Sequence, residues 1–242
     1  ISPIFDSKKL GYNSTLAAFR VDPGRVDSVA AGLNAHPGIS HNYLRDNEYN
    51  LWFTLTLYRD FDIRDSLRRL AEDNAVENWL YLPTIRTFKI GFKLAMGSTK
   101  PAARESVRRT ATKPVGEISK AFVRALQHDM PLESAPYRDA AAALGMSEEE
   151  IVETLKAYLD AGIIRRIAAV LRPVHAGFTS NVMVAWAADP EHTEKLGVCG
   201  ARHSSVSHCY LRPASPQWPY SVYTMIHGRS REECDEIIDS LR

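Results

Sequence analysis

The 242-residue sequence is poor in cysteine, in excess charge of either sign and in long apolar runs, and each shortage removes a class of protein. Its three cysteines, Cys199, Cys209 and Cys234, form an odd set without a CxxC pair, which supports neither a disulfide framework nor a structural zinc site. Thirty Lys and Arg against 29 Asp and Glu leave a net charge of +1, far from the strongly basic balance of proteins whose affinity comes from neutralising phosphates. The apolar run at 51–57 is too short to cross a bilayer. The opening residues carry neither the charged nor the apolar region of a signal peptide, so a cytoplasmic protein without a membrane partner is expected. What remains is an ordinary globular composition, 45% hydrophobic and 24% charged. Its length fits roughly one and a half domains on a prior of about 100–200 residues each.

The ends of the sequence are abrupt. Ile1-Ser-Pro-Ile-Phe-Asp6 opens inside an extended apolar segment, and 230–242 reads as an amphipathic helix with Cys234, Ile237, Ile238 and Leu241 on one face, so an element is expected beyond each end. Between them lies an internal repeat. His36-Pro-Gly-Ile-Ser-His41-Asn-Tyr43-Leu-Arg45 is answered by His203-Ser-Ser-Val-Ser-His208-Cys-Tyr210-Leu-Arg212. Lys9-Leu-Gly11-Tyr12 is answered by His175-Ala-Gly177-Phe178, and Ser14 by Ser180, so the repeat is a whole module.

In the first module 14–21 reads as a strand, 24–34 as a helix, 39–45 and 50–58 as strands, 62–74 as a helix and 81–92 as a last strand. The order β-α-β-β-α-β is that of a ferredoxin-like sandwich. The second module repeats it with strands near 179–187, 206–212 and 220–227, and lacks only the last strand. Residues 95–116 form a basic linker rich in Pro, Ser and Thr. After it, helices at 117–128, 137–144 and 147–160 and an extended 163–171 have the layout of a winged helix-turn-helix. Gly145 ends the second helix, and Ser147 caps the third with Glu150 at the capping-box position. The fold class is therefore α+β, with a first sheet unit at 1–94, the linker at 95–116, the winged helix at 117–171 and a second sheet unit at 172–242.

A DNA-reading helix approaches phosphates and base edges. The third helix instead carries Glu148, Glu149, Glu150, Glu153 and Asp160 against Lys156 alone, with no Arg, Asn or Gln to read a base, so DNA is not expected as a partner.

The chemistry is expected on the sheet faces that the helices leave open. Alternation sends Leu51, Phe53, Leu55 and Leu57 to the helix side and Trp52, Thr54, Thr56 and Tyr58 to the open side. His41, Tyr43 and Arg45 project together and suit the open face, and His208, Tyr210 and Arg212 repeat them beside Tyr223, Met225 and His227. Two His-Tyr-Arg rows with broad aromatics could hold a flat, carboxylate-rich ligand, and a histidine there could ligate iron or pass a proton near neutral pH. A structural role inside a sheet-to-sheet interface is the competing reading of each histidine. Duplication copies a structural residue as faithfully as a catalytic one. The insertion at 213–219, with Trp218, reads as a lid.

These residues carry a resemblance. The segments IRRIAAVLRPVHAGFTSNVMVAW, VSHCYLRP and WPYSVYTMIHG in one half, with PIFDSKKLGYNSTL and SHNYLRDNEYNLWFTL in the other, resemble the siroheme decarboxylases, a family built on the architecture of Lrp/AsnC regulators. The resemblance is to the fused two-unit form of the haem d1 branch, whereas the alternative haem pathway tends to use separate subunits. It implies two AsnC-type units and an iron-tetrapyrrole substrate, siroheme, that loses carbon dioxide from two acetate side chains to give 12,18-didecarboxysiroheme. No cofactor is implied beyond the substrate's own iron.

Carried onto this sequence, it implies His41 and His208 as catalytic proton donors, either of them a possible axial ligand to the iron. Arg45 and Arg212 become carboxylate clamps. Tyr43, Tyr210, Trp52, Tyr223, Trp218 and His227 line the substrate. The two units are expected to pair open face to open face as a pseudo-dimer, with a further homo-oligomer or handover to other tetrapyrrole enzymes as possible associations. An amino-acid-binding Lrp/AsnC-type regulator and a non-catalytic haem carrier are the alternatives.

Overall fold

The structure is a computed structural model that describes residues 1–91, 118–169 and 177–242. The expected linker at 95–116 lies outside the described residues. The chain divides into two compact units, Ile1–Tyr12 with Ser98–Leu171, and Asn13–Gly97 with Arg172–Arg242.

The larger unit contains both halves of the repeat. In the first half β2 (Tyr12–Phe19), α1 (Val26–Ala35), β3 (Ile39–Leu44), β4 (Leu51–Tyr58), α2 (Ile63–Asp73) and β5 (Trp79–Pro83) follow in the expected order, and the sheet order is β3-β4-β2-β5. Asp62 caps α2 by accepting hydrogen bonds from the backbone N–H groups of Arg64 and Asp65. Val29 and Leu33 of α1 and Leu67 and Ala71 of α2 pack on Leu51, Phe53 and Leu55, the helix-side residues that alternation selects in β4.

The expected single strand at 81–92 is two strands that serve different sheets. β5 pairs with β2 and stops at Pro83, which has no N–H to continue the ladder. β6 (Arg86–Ile90) then crosses to the second half and pairs with β9 (Val206–Leu211). With β8 (Ser180–Trp186), α6 (Pro190–Arg202), β10 (Val222–Gly228) and α7 (Arg231–Ser240), this gives the sheet order β6-β9-β10-β8. The second sheet thus has four strands, one of them borrowed from the first half. β6 lies beside β9, whereas the edge of β8, which corresponds to the β5-covered edge of β2, has no partner strand among the described residues.

The borrowed strand is seated by size. The Phe88 ring packs over Gly197 of α6, and a Cβ built on Gly197 would stand 2.2 Å from a ring carbon.

On their other faces the two sheets meet. Ala18, Trp52, Leu80 and Leu82 of the first half and Trp218 and Tyr223 of the second form one buried cluster, with Met183 and Ala185 of β8 against it. The open faces therefore pack against each other as the pseudo-dimer expectation has it.

The smaller unit is the winged helix. Ser119 caps α3 (Lys120–Leu126), Gly145 in the left-handed region at φ 64° closes α4 (Arg138–Leu144), and Ser147 with Glu150 forms the expected capping box on α5 (Glu148–Asp160). Its core is Phe122, Leu126, Ile151, Leu155 and Tyr158. β7 (Ile164–Ala168) pairs antiparallel with β1 (Ser2–Phe5). Residues 1–12 therefore belong to this unit, a correction to a first sheet unit starting at residue 1. The reason is physical: Phe5 and Leu10 pack on the helical core, the Asp6 N–H donates to the Ile163 carbonyl, and Arg165 pairs with the Asp6 carboxylate at 3.1 Å.

Gly197→Val is expected to lower stability by about 1–3 kcal/mol, because displacing the Phe88 ring outweighs the roughly 1 kcal/mol that a non-glycine residue returns to the helix. Thermal unfolding of the variant against the parent checks this.

Candidate functional site

Both histidine rows begin at a β-bulge. In β9, Val206 pairs with Ile226 and His208 with Met225, which leaves Ser207 as the extra residue. In β3, Ile39 pairs with Leu55 and His41 with Thr54, which leaves Ser40. The bulge reverses the alternation. Val206 and Ile39 pack on the helix side, yet His208 and His41, two residues later, stand on the open face. Cross-strand pairs then align Tyr43 with Trp52, Tyr210 with Tyr223, and His227 with Asn181.

The rings of each row are neighbours along its strand, stacked in β9 and tilted in β3. The His208 and Tyr210 rings lie 6.0 Å apart and nearly parallel, and Arg212 stands 5.1 Å from the Tyr210 ring centre and 5.6 Å from that of Tyr223. In the other row His41 and Tyr43 are 6.1 Å apart and Arg45 is 4.8 Å from Tyr43. The environments differ. His41 and Tyr43 lie on the edge strand β3 and are exposed, whereas β9 is flanked by β6 and His208 and Tyr210 are half-buried.

The two arginines part company. Arg45 is half-buried at the wall of a cleft of about 730 Å³, together with Trp52, Trp218 and Tyr220, that follows the unpaired edge of β8. Arg212 is only 8% exposed; its Nη1 donates to the Leu82 carbonyl, and its Nε is buried without a hydrogen-bond partner. Burial lowers its pKa to about 10, still charged at neutral pH. The expected clamp at Arg212 is thus, in this structure, a bridge between the two sheets, because the facing strand β5 already supplies its acceptor.

Trp218 is likewise a peg and not an open lid. It is buried between Tyr49, Trp52 and Tyr220, with ring centres 4.8–5.5 Å away, and its indole N–H donates to the Tyr223 hydroxyl at 2.7 Å. Burial pushes the Tyr223 phenol up to about 12, so it stays protonated and donates onward to the Tyr220 carbonyl.

Behind His208 the structure places His227, which the sequence reading put on the open face, together with Ser207 and Asn181, which it did not single out. Ser207 Oγ lies 2.8 Å from His208 Nδ1 and 2.7 Å from His227 Nε2, and His227 Nδ1 is hydrogen-bonded to Asn181 Oδ1. His227 is buried, which pushes its imidazole below the ordinary value of 6.5 and keeps it neutral. In the first half Ser40 Oγ lies 2.8 Å from His41 Nδ1, but Thr56 stands in place of His227 and bonds to Ser14 at 3.1 Å. Ser14 is thus the counterpart of Asn181, one residue from the expected match to Ser180. The available signal was the serine that precedes each histidine of the repeat. Among the described residues no group of three or more His, Cys, Asp or Glu is placed to hold a metal, and no helix is long and apolar enough to cross a membrane.

With this arrangement in hand, the comparisons with known proteins are specific. A model of the AsnC-like ligand binding domain matches residues 9–89 and 175–242, and one of the siroheme decarboxylase NirDL-like HTH domain matches 119–165. The siroheme decarboxylase of Hydrogenobacter thermophilus is 40% identical, over 100% of this chain and 72% of that protein. The chain belongs to the siroheme decarboxylase family. Two crystal structures of the siroheme decarboxylase NirDL, one described as a co-complex with an iron-uroporphyrin III analogue, align with TM-scores of 0.73 and 0.72 at 35% and 33% identity. Each alignment covers 100% of this chain and 70% of the other.

The buried imidazole has a consequence for pH. Folded His227 takes up a proton less readily than unfolded histidine, so its contribution to stability is full above pH 6.5 and declines as pH falls from there toward its lowered folded value. His203, lowered by burial and by Lys89, acts in the same direction. His227→Phe is expected to flatten part of the fall in melting temperature between about pH 7 and pH 5, measured by thermal unfolding across that range.

Proposed function

We propose that this chain decarboxylates siroheme, removing carbon dioxide from two acetate side chains to give 12,18-didecarboxysiroheme on the way to haem d1 or haem, as a carboxy-lyase that uses no cofactor beyond the iron its substrate carries. The observation that carries the reading is the half-buried His208, stacked on Tyr210 at the rim of an aromatic wall and hydrogen-bonded through Nδ1. Family membership supports it.

Loss of carbon dioxide leaves the electron pair of the broken C–C bond on the side-chain carbon, where the conjugated macrocycle can delocalise it, and a proton must then reach that carbon. An imidazole that titrates near neutral pH is suited to deliver it. His208 is the proton donor in this reading. His41 is exposed and backed by a serine alone, and it serves as a second donor or as the axial ligand to the substrate iron. Arg45 faces the other carboxylates as a clamp, and Tyr43, Tyr210, Trp52, Tyr223 and Trp218 form the walls, while His227, expected among them, is buried behind His208 with both ring nitrogens hydrogen-bonded.

Arg212 keeps Tyr210 and Tyr223 in place. The winged helix is assigned no DNA partner. Its α5 presents Glu148, Glu149 and Glu150 in the first turn, where Glu150 completes the capping box and Glu148 accepts from the Tyr137 N–H.

Anaerobic incubation with siroheme followed by mass spectrometry is expected to show the loss of two carboxyl groups. An unchanged substrate beside an active control enzyme would sink the enzymatic reading, and binding of the coloured tetrapyrrole without turnover would favour a carrier. His208→Ala is expected to slow the loss by about 10²–10⁴-fold, the range for removal of a general acid. A smaller effect of His41→Ala would mark the halves as unequal.

A further inference from the structure

The repeat places a Ser-His pair on a bulge in each half, but only the second half backs it with another imidazole. Hydrogen-bonding capacity fixes the direction of that chain. Asn181 Oδ1 can only accept, so the neutral His227 carries its hydrogen on Nδ1 and presents an acceptor at Nε2. The single hydroxyl hydrogen of Ser207 goes to that acceptor at 2.7 Å, because His227 Nε2 has no hydrogen of its own to give, whereas His208 Nδ1 at 2.8 Å can supply one and the Met225 carbonyl is 3.4 Å away. Ser207 Oγ is then left to accept, at 2.8 Å, a hydrogen from His208 Nδ1. The groups run inward from the exposed Asn181 through the buried His227 and Ser207 to the half-buried His208.

We propose that Asn181, His227 and Ser207 are positioning residues that fix the tautomer of His208, holding its hydrogen on Nδ1 and making Nε2 the nitrogen that carries the reactive proton. The proposal deepens the reading of His208 as proton donor. In each decarboxylation the C–C bond breaks and carbon dioxide leaves; the side-chain carbon keeps the electron pair and takes the proton from Nε2 of His208 imidazolium. His208 is then neutral with Nδ1–H still bonded to Ser207, and Nε2 is recharged by a proton from water. The Nδ1–H bond makes Nε2 more basic, the effect that second partners have on metal-bound histidines. Burial around His227 and Ser207 strengthens it by excluding competing water.

The first half lacks this control. Thr56 has no ring to pass the bond on and pairs with Ser14, and both Ser40 and His41 are exposed. His41 is thus free to exchange tautomers in water.

The test reads the ring nitrogens directly in the full chain labelled with ¹⁵N-histidine, without siroheme, by long-range ¹H–¹⁵N correlation at a pH where histidine is neutral. Parent His208 is expected with its hydrogen on Nδ1. Ser207→Ala and His227→Phe are each expected to return it to the Nε2–H form that histidine favours in water, with His41 unmoved. A parent His208 protonated on Nε2, or the same tautomer in the parent and both variants, overturns the proposal. Siroheme turnover by the same variants is expected to fall by about 10–100-fold, the usual cost of losing an outer partner of a functional histidine. A tautomer that moves while turnover holds would leave the positioning chain standing and remove His208 from the donor role, so the two claims fail separately.

Discussion

A four-stranded sheet with both helices on one side leaves its other face exposed to water, and this fold depends on how that face is covered. Here two such faces cover each other. Trp52, Leu80 and Leu82 of one half meet Trp218 and Tyr223 of the other, and the polar ends of the aromatics are satisfied in place, the Trp218 indole by Tyr223 and the Tyr223 hydroxyl by Tyr220. Burying the Arg212 guanidinium at this junction carries a desolvation cost, visible in its lowered pKa, which its bond to Leu82 and its stacking on Tyr210 and Tyr223 offset in part. With the centre filled by aromatics, the histidines stand away from it, on β3 and β9.

The bulges make that placement compatible with the core. In a regular strand Val206 and His208 would share a face, and either a valine would leave the core or a histidine would enter it. One extra residue at 207 resolves the conflict and also brings the Ser207 hydroxyl between the His208 and His227 rings. The same device at Ser40 keeps Ile39 in the helix-side core while His41 turns outward. Local geometry and hydrogen-bond chemistry are therefore set by one insertion.

Much of this was legible in the residues. Periodicity locates Leu67 and Ala71 on the buried side of α2, alternation separates Phe53 from Trp52, and the Ser147 and Glu150 pair marks the start of α5. Periodicity does not reveal which sheet a strand joins. β6 reads as a continuation of β5 because nothing local states that its partner is β9, and the Phe88–Gly197 fit that decides it links positions far apart in sequence. The same holds for β1, whose apolar residues suit any sheet and whose partner is β7. Within the site, residue types identified the rows, but burial separated their roles: Arg45 and Arg212 occupy matching positions and each donates to a backbone carbonyl, of Leu44 and Leu82, but only Arg212 is buried.

Duplication explains why the halves look alike, and the packing explains why they need not act alike. Each half keeps Ser, His, Tyr and Arg in register, so composition alone would make His41 and His208 equivalent. β6 flanks β9 but no strand flanks β3 on its outer side among the described residues, and the turn at 46–48 is replaced in the second half by the longer segment that seats Trp218. A hydrogen bond beside an exposed histidine competes with water, whereas one between buried groups is protected from it. Thr56 and Ser14 suffice where water can complete the bonding; a buried His227 requires Asn181 and Ser207 to satisfy both of its nitrogens. The second half thus turns a copied strand into an environment with one defined proton arrangement, and the borrowed strand that encloses it comes from the half that lacks it.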